Sequence, residues 1–144
     1  EVNYPSLENE VEIVLKAHER REKAEITGLD ALISINELIK YQKAVRYVHI
    51  EIPLMRYIAE IVQKTRNHPS LYLGGSPRAS INALTASKAL AAINGRNFVI
   101  PEDIKAVLLP ILNHRIYLTP EKELEGQTER QVITDIIASV EIPR

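Results

Sequence analysis

The chain has 144 residues, 45% of them apolar and 26% charged, with a formal net charge of −1 and no cysteine. That balance suits one globular domain with a real core, excludes disulfides, thiolate metal sites and cysteine nucleophiles, and fits a cytoplasmic origin. Near-neutral charge and 5% aromatics argue against a general nucleic-acid binder, and no apolar run approaches the roughly 18 residues of a membrane-spanning helix.

The chain opens on Glu1 rather than Met, so it reads as a piece of a longer polypeptide, residues 1–5 being the tail of a preceding element. Ser6 predicts the cap of a first helix, with Glu8 and Glu10 near its positive end and Val11, Val14 and Leu15 as its apolar side. The run His18-Glu19-Arg20-Arg21-Glu22-Lys23 is a solvated mixed-sign stretch, with Glu19 and Lys23 four apart; residues 25–33, with Gly28, read as a loop. Ser34-Ile35-Asn36-Glu37 has the form of a capping box and opens a helix to about Val45, with Leu38, Ile39 and Tyr41 near its buried side. Residues 47–52 alternate like one short strand. Pro53 starts a helix carrying Leu54, Ile58, Ile61 and Val62, which ends near Asn67; His68 reads as a turn histidine, without a second ligand at metal-like spacing.

The segment Leu71-Tyr72-Leu73-Gly74-Gly75-Ser76-Pro77-Arg78-Ala79 is the most informative part. Its glycines permit either a positive φ or a close backbone approach, Ser76 suits an N-cap, and Pro77 suits the first helical position. Arg78 then stands in a helix's first turn, where the dipole receives anions and mildly disfavours a cation. Two readings stand on local features: a solvated arginine after an ordinary turn, or a guanidinium aimed at a phosphate.

The helix from 77 to about 94 is rich in alanine (Ala79, Ala83, Ala86, Ala89, Ala91, Ala92), with Ile81, Leu84, Leu90 and Ile93 as its bulk, and Gly95 ends it. Phe98-Val99-Ile100 is placed to pair with residues 48–52. Pro101-Glu102-Asp103 begins another helix, which Pro110 is expected to kink or break. A polar turn near Pro120 follows, and Thr128-Glu129-Arg130-Gln131 caps a last helix with Val132, Ile133, Ile136, Ile137 and Val140 on one face. The fold class is all-α: a bundle of about five or six helices with at most a minor short β-pairing.

As a free-standing catalyst the chain has little to work with. It contains no G-x-x-x-x-G-K-[ST] phosphate loop, no H-E-x-x-H, no G-x-S-x-G and no G-x-G-x-x-G, and its four histidines are scattered.

The ordered motifs resemble the C-terminal helical lid of MoxR-type AAA+ ATPases, a group related to the magnesium-chelatase ATPase subunit. The resemblance is carried by Tyr57-Ile58, Thr65-Arg66-Asn67-His68-Pro69, Leu73-Gly74-Gly75-Ser76-Pro77-Arg78-Ala79, Gly95-Arg96, Phe98-Val99-Ile100-Pro101-Glu102-Asp103-Ile104 and Ile111-Leu112-Asn113-His114-Arg115-Ile116. It covers nearly the whole chain, and the block 65–116 is its specific part. It implies that residues 6–144 are an AAA+ lid of that helical bundle type, with 1–5 as linker or tail of a large domain. It also implies that Arg78 is the sensor 2 arginine, the one catalytic residue here, reaching the γ-phosphate from the turn Gly74, Gly75, Ser76 and Pro77. Thr65, Arg66, His68 and Pro69 would shape the loop before it; Arg66 is either an interface residue or a helix-end cation complementing the dipole, and Arg96 and Arg115 are either interface or pore-side residues or local caps and ion pairs. Gly75 departs from the alanine common in the family, which would make the turn more flexible.

The cofactor implied is ATP with Mg2+ in the full-length protein, with no metal site in this chain. The implied partners are the large AAA+ domain of the same polypeptide, neighbouring subunits of a homo-hexamer, and client proteins with von Willebrand factor A-type domains. Neither a nucleic acid nor a membrane segment is among them. Alternatives of other classes are a helical protein-interaction adaptor and a histone-like DNA-binding module, the stretch from Arg96 to Ile104 being similar to the approach to a histone's last helix.

Overall fold

The structure, a computed structural model, describes residues 4–19 and 30–143. Two compact units divide it, residues 1–34 and 35–144. In the first unit lies α1 (Leu7–Glu19). Ser6 caps it as its sequence predicts, the Oγ accepting from the Asn9 N–H at 3.3 Å and the carbonyl from the Glu10 N–H at 2.9 Å. Residues 20–29, with most of the mixed-sign run and Gly28, lie outside the described residues.

The second unit begins with α2 (Ile35–Arg46), directly after Ser34. Leu38, Ile39 and Tyr41, expected on a buried side, are exposed. The last turns of α2 meet a neighbour: Gln42, Val45 and Arg46 face Leu84, Thr85, Lys88 and Ala89 of the fourth helix across a groove of about 630 Å³. The alternating segment after α2 makes a single parallel bridge, His49 to Phe98, instead of a strand. Its anticipated pairing with 98–100 is present in that reduced form, the His49 N–H donating to Asn97 O and the Val99 N–H to His49 O. Pro53 explains the brevity: a residue without an N–H cannot extend a ladder, but it suits the first turn of α3 (Ile52–Arg66), which Glu51 precedes and Asn67 ends.

The strand β1 (Leu71–Leu73) pairs antiparallel with β2 (Tyr117–Leu118), Leu71 opposite Leu118. Between them run α4 (Pro77–Ile93) and α5 (Pro101–Leu112). Gly95 closes α4 in the left-handed region, φ 72°. Its N–H donates to Ala92 O and that of Arg96 to Ala91 O, the paired bonds of a Schellman ending. Of the kink or break expected at Pro110, the break is absent: α5 runs through Pro110 to Leu112. One proline removes one i→i−4 bond, whereas Leu108 and Leu112 on either side of it are both fully buried and hold the last turn in the core. The turn at Pro120 is a five-residue helix, α6 (Pro120–Leu124). The last helix, α7 (Glu129–Ala138), opens on the anticipated capping box: the Gln131 N–H donates to Thr128 Oγ1 and the Thr128 N–H to Gln131 Oε1.

The second unit is therefore an α-helical bundle with one very small sheet. Its core joins Ile58, Ile61 and Val62 of α3, Ile104, Leu108 and Leu112 of α5, and Val132, Ile133 and Ile136 of α7. The buried stripe of α4 is Ala79, Ala83, Ser87 and Ala91, spaced four apart. Small side chains on that stripe let its backbone approach its neighbours closely. Ile81 and Ile93, expected to supply bulk, point outward at 62% and 81% exposure.

Candidate functional site

The turn between β1 and α4 is built against the last turn of α3. Thr65 is fully buried; its Oγ1 donates to Val62 O at 2.6 Å and accepts the Gly75 N–H at 2.8 Å. The next residue grips the other backbone hydrogen-bonding group of Gly75, Arg66 Nε donating to Gly75 O at 2.8 Å. Gly74 lies directly on the backbone beneath. A Cβ there would stand 2.6 Å from Arg66 Cα, Arg66 N and the Thr65 carbonyl carbon. Neither Gly74 nor Gly75 has a positive φ. Close approach, not left-handed backbone, is what this turn requires of its glycines.

From this seat the chain turns into α4. Ser76 takes the N-cap position with extended backbone, its carbonyl accepting from the Ala79 N–H at 2.9 Å, but its hydroxyl makes no capping bond. Pro77 occupies the first helical position and Arg78 the second. Ser76, Pro77 and Arg78 are exposed, while Gly75 and Ala79 on either side of them are buried. No hydrogen bond or ion pair to the Arg78 guanidinium is found among the described residues. An exposed guanidinium with its donors unspent, at the amino end of a 17-residue helix, can receive an anionic oxygen.

The other arginines singled out by sequence are spent locally. Arg96 holds Asp103 through two bonds, Nη2 to Oδ1 at 2.6 Å and Nη1 to Oδ2 at 2.7 Å. Asp103 Oδ2 also accepts the Ile100 N–H at 3.0 Å. The Arg96 bond, with help from that N–H, holds the Asp103 carboxyl below the usual carboxylate range against the opposing effect of burial. Arg115 Nε donates to His114 Nε2 at 3.0 Å. His68, a turn histidine as expected, accepts the Ser70 N–H on Nδ1 at 3.2 Å. Among the described residues no three His, Asp or Glu side chains gather as a metal-holding cluster, and no helix is long and apolar enough to cross a membrane. A groove of about 610 Å³ between α3 and α7 is lined by Glu60, Lys64, His68 and Asp135 among others; Arg78 does not line it.

The resemblance implies that Thr65 and Arg66 shape this loop, but not that they do so by gripping Gly75. Their side chains face a residue about ten positions later, and no local motif announces that contact.

The model of the family described as AAA lid domain matches residues 63–136, a span that contains the whole turn. The chain belongs to the AAA lid domain family. It is 37% identical to the Bacillus subtilis (strain 168) protein YeaC over 142 residues, 99% of this chain and 43% of YeaC. It is 28% identical over 152 residues to a Mycobacterium tuberculosis protein named chaperone MoxR1, covering 99% of this chain and 39% of that one. A crystal structure described as that of a candidate ATPase from Cytophaga hutchinsonii superposes with a TM-score of 0.79 at 33% identity, over 99% of this chain and 45% of the other. These likenesses place the lid in the MoxR-like group of ATPases. The lid spans less than half the length of these relatives.

Proposed function

We propose that this lid closes on ATP bound, with Mg2+, by a large AAA+ domain of the same polypeptide, and that Arg78 is its sensor 2 arginine. The observation that supports this reading most is the Arg78 side chain itself. It is exposed and without a partner among the described residues, although its backbone stands on a turn pinned at both the N–H and the carbonyl of Gly75. The free guanidinium fits a phosphate oxygen in charge and geometry. In this reading Gly74, Gly75, Ser76 and Pro77 form the nucleotide-facing turn and Arg78 makes the charged contact.

A cation placed where negative charge develops stabilises the transition state more than the ground state. Fingers supplied in trans are worth about 10³–10⁵ in rate, and Arg78, partly positional in its role, contributes less than that. The same contact makes the lid angle depend on the nucleotide, a hinge-type coupling. We place this machinery in a cytoplasmic homo-hexamer that remodels partner proteins, clients with von Willebrand factor A-type domains among them. The adaptor reading draws on an arginine committed to an internal ion pair, and Arg78 has none among the described residues.

Arg78→Ala in the full-length protein is expected to lower ATP turnover by at least about tenfold, the smallest loss we assign to a charged transition-state contact, with circular dichroism unchanged. Turnover equal to that of the unaltered protein removes the phosphate role.

A further inference from the structure

We infer that Thr65 and Arg66 are positioning residues for Arg78, acting together through the backbone N–H and carbonyl of Gly75, so that the last turn of α3 aims the guanidinium. The inference rests on the phosphate-facing reading of Arg78 and adds to it the residues that set its aim.

Four observations converge on this. First, Gly75 is held at both its hydrogen-bonding groups, its N–H by Thr65 Oγ1 and its carbonyl by Arg66 Nε, each at 2.8 Å. Second, Gly74 packs on the backbone of those same two residues with no room for a Cβ, so the turn cannot lift without losing contact along its length. Third, only Ser76 and Pro77 separate the gripped residue from Arg78, and Pro77 fixes its own φ, so little rotational freedom remains between the grip and the Arg78 backbone. Fourth, α3's last turn is itself moored: Lys64 Nζ donates to Ser139 O at 2.9 Å and to Ser139 Oγ at 3.1 Å at the end of α7. Lys64, Thr65 and Arg66 are consecutive, and between them they tie the Arg78 turn to the body of the bundle.

Neither residue is proposed to touch nucleotide. Thr65 is fully buried, and Arg66 Nε is occupied by Gly75 O. Their contribution is the precision with which a long, flexible side chain starts from its backbone. A misplacement of about 1 Å in a transition-state contact can cost up to about a hundredfold in rate. A slackened turn that still samples the right position costs less.

The test is a set of variants in the full-length protein, assayed for ATP turnover with kcat and KM separated. Thr65→Val keeps the shape and removes the acceptor for the Gly75 N–H; Thr65→Ser restores it; Arg66→Lys keeps the charge and removes the Nε donor. The expected result for Thr65→Val and Arg66→Lys is a fall in kcat of about three- to tenfold, with the KM for ATP within about twofold. Thr65→Ser should stay within about twofold of the unaltered protein. The deciding measurement is the cycle with Arg78→Ala. Once the guanidinium is gone, its aim no longer matters, and Thr65→Val or Arg66→Lys should lower turnover no further. The same fractional loss with and without Arg78 overturns the inference, because a merely structural role subtracts in both backgrounds. So does Arg78→Ala slowing turnover while neither Thr65→Val nor Arg66→Lys has an effect. Arg78→Ala without effect is the separate result that removes the phosphate reading itself, and this inference with it. Arg66 is exposed, so the Arg66→Lys arm stands even where a change at buried Thr65 prevents folding.

Discussion

The Arg96 guanidinium and the Asp103 carboxylate face each other as two forks, with both oxygens and two nitrogens engaged at 2.6 and 2.7 Å. Asp103 is 3% exposed, and the Arg96 side chain 24%. The pair closes the connection between α4 and α5, since Arg96 Nη1 also donates to Phe98 O and Asp103 takes the Ile100 N–H at the start of α5. Sequence placed Asp103 in a helix's first turn, where an acid is favourable anyway. The fork adds a hydrogen-bonded register between the end of one helix and the start of the next.

This pair predicts an acid-sensitive share of the lid's stability. The folded Asp103 carboxyl is held below its ordinary range, first by the Arg96 hydrogen bond and then by the Ile100 N–H, which together outweigh burial. A depressed folded pKa means that the unfolded chain binds the proton first as pH falls. The stabilisation is therefore fully present above the unfolded carboxyl pKa of about 3.9 and is lost as pH drops through the folded value. Arg96 is shifted upward by the same hydrogen bond, so it stays charged throughout this window. Urea midpoints measured from pH 7 to pH 2 should show Asp103→Asn well below the unaltered lid at pH 7, with the gap narrowing toward pH 2. A gap that stays constant with pH would mean that the carboxylate's charge contributes nothing.

The two glycines of the Arg78 turn should behave oppositely, although they are neighbours. A methyl group on Gly74 would meet backbone at 2.6 Å on three atoms, and backbone of a helix's last turn cannot step aside. Gly74→Ala is expected to cost about 1–3 kcal/mol, the usual range for overpacking, and to displace Arg78 with the turn. On Gly75 the same methyl would meet Leu112 Cδ2 at 3.0 Å, Val62 Cγ1 at 3.1 Å and Thr65 Oγ1 at 3.4 Å, all side-chain atoms. Since Gly75 lies outside the positive-φ region, alanine there also restricts the unfolded chain, which favours folding by roughly 0.4–1 kcal/mol. Gly75→Ala should therefore fall within about 1 kcal/mol of the unaltered lid, in line with the alanine common at this position in the resembling family. Chemical denaturation of both variants checks the order, and a greater loss at Gly75 than at Gly74 would refute the packing account.

How much of this was legible in the sequence depends on how local each cause is. The Thr128 capping box, the Ser6 cap, the end of α4 at Gly95 and the prolines that open α3, α4 and α5 are decided within four residues and were readable. The pairing of Leu71 with Leu118 was not, because strands of two or three residues carry no alternation to read and their partners lie far apart in the chain. The exposed Ile81 shows a different limit. On a helix whose buried stripe is made of alanines and Ser87, the apolar pattern does not say which side is inward. At the site itself, sequence found the residue with unspent chemistry, Arg78, but left the glycines between two uses, and it expected slackness at Gly75. The backbone of Gly75 is instead held on both sides, by side chains whose identity is ordinary and whose aim is set only by tertiary packing.

The same division of labour makes a last prediction, about this lid in isolation. Its offering to a triphosphate is one guanidinium and the free N–H groups of one helix start. Hydrogen bonds to charged groups contribute about 1.5–3 kcal/mol each, and a helix N-terminus about 0.3–1 kcal/mol toward an anion at an exposed site. Association itself costs at least about 4 kcal/mol. The difference leaves the lid short of the roughly 4.1 kcal/mol that a millimolar Kd requires. Titration calorimetry of residues 1–144 with ATP and Mg2+ should accordingly detect no binding tighter than about millimolar. Micromolar binding would place a complete nucleotide site within these residues. It would also sink the idea that Arg78 completes a site made elsewhere, since a latecomer to a phosphate has little affinity of its own.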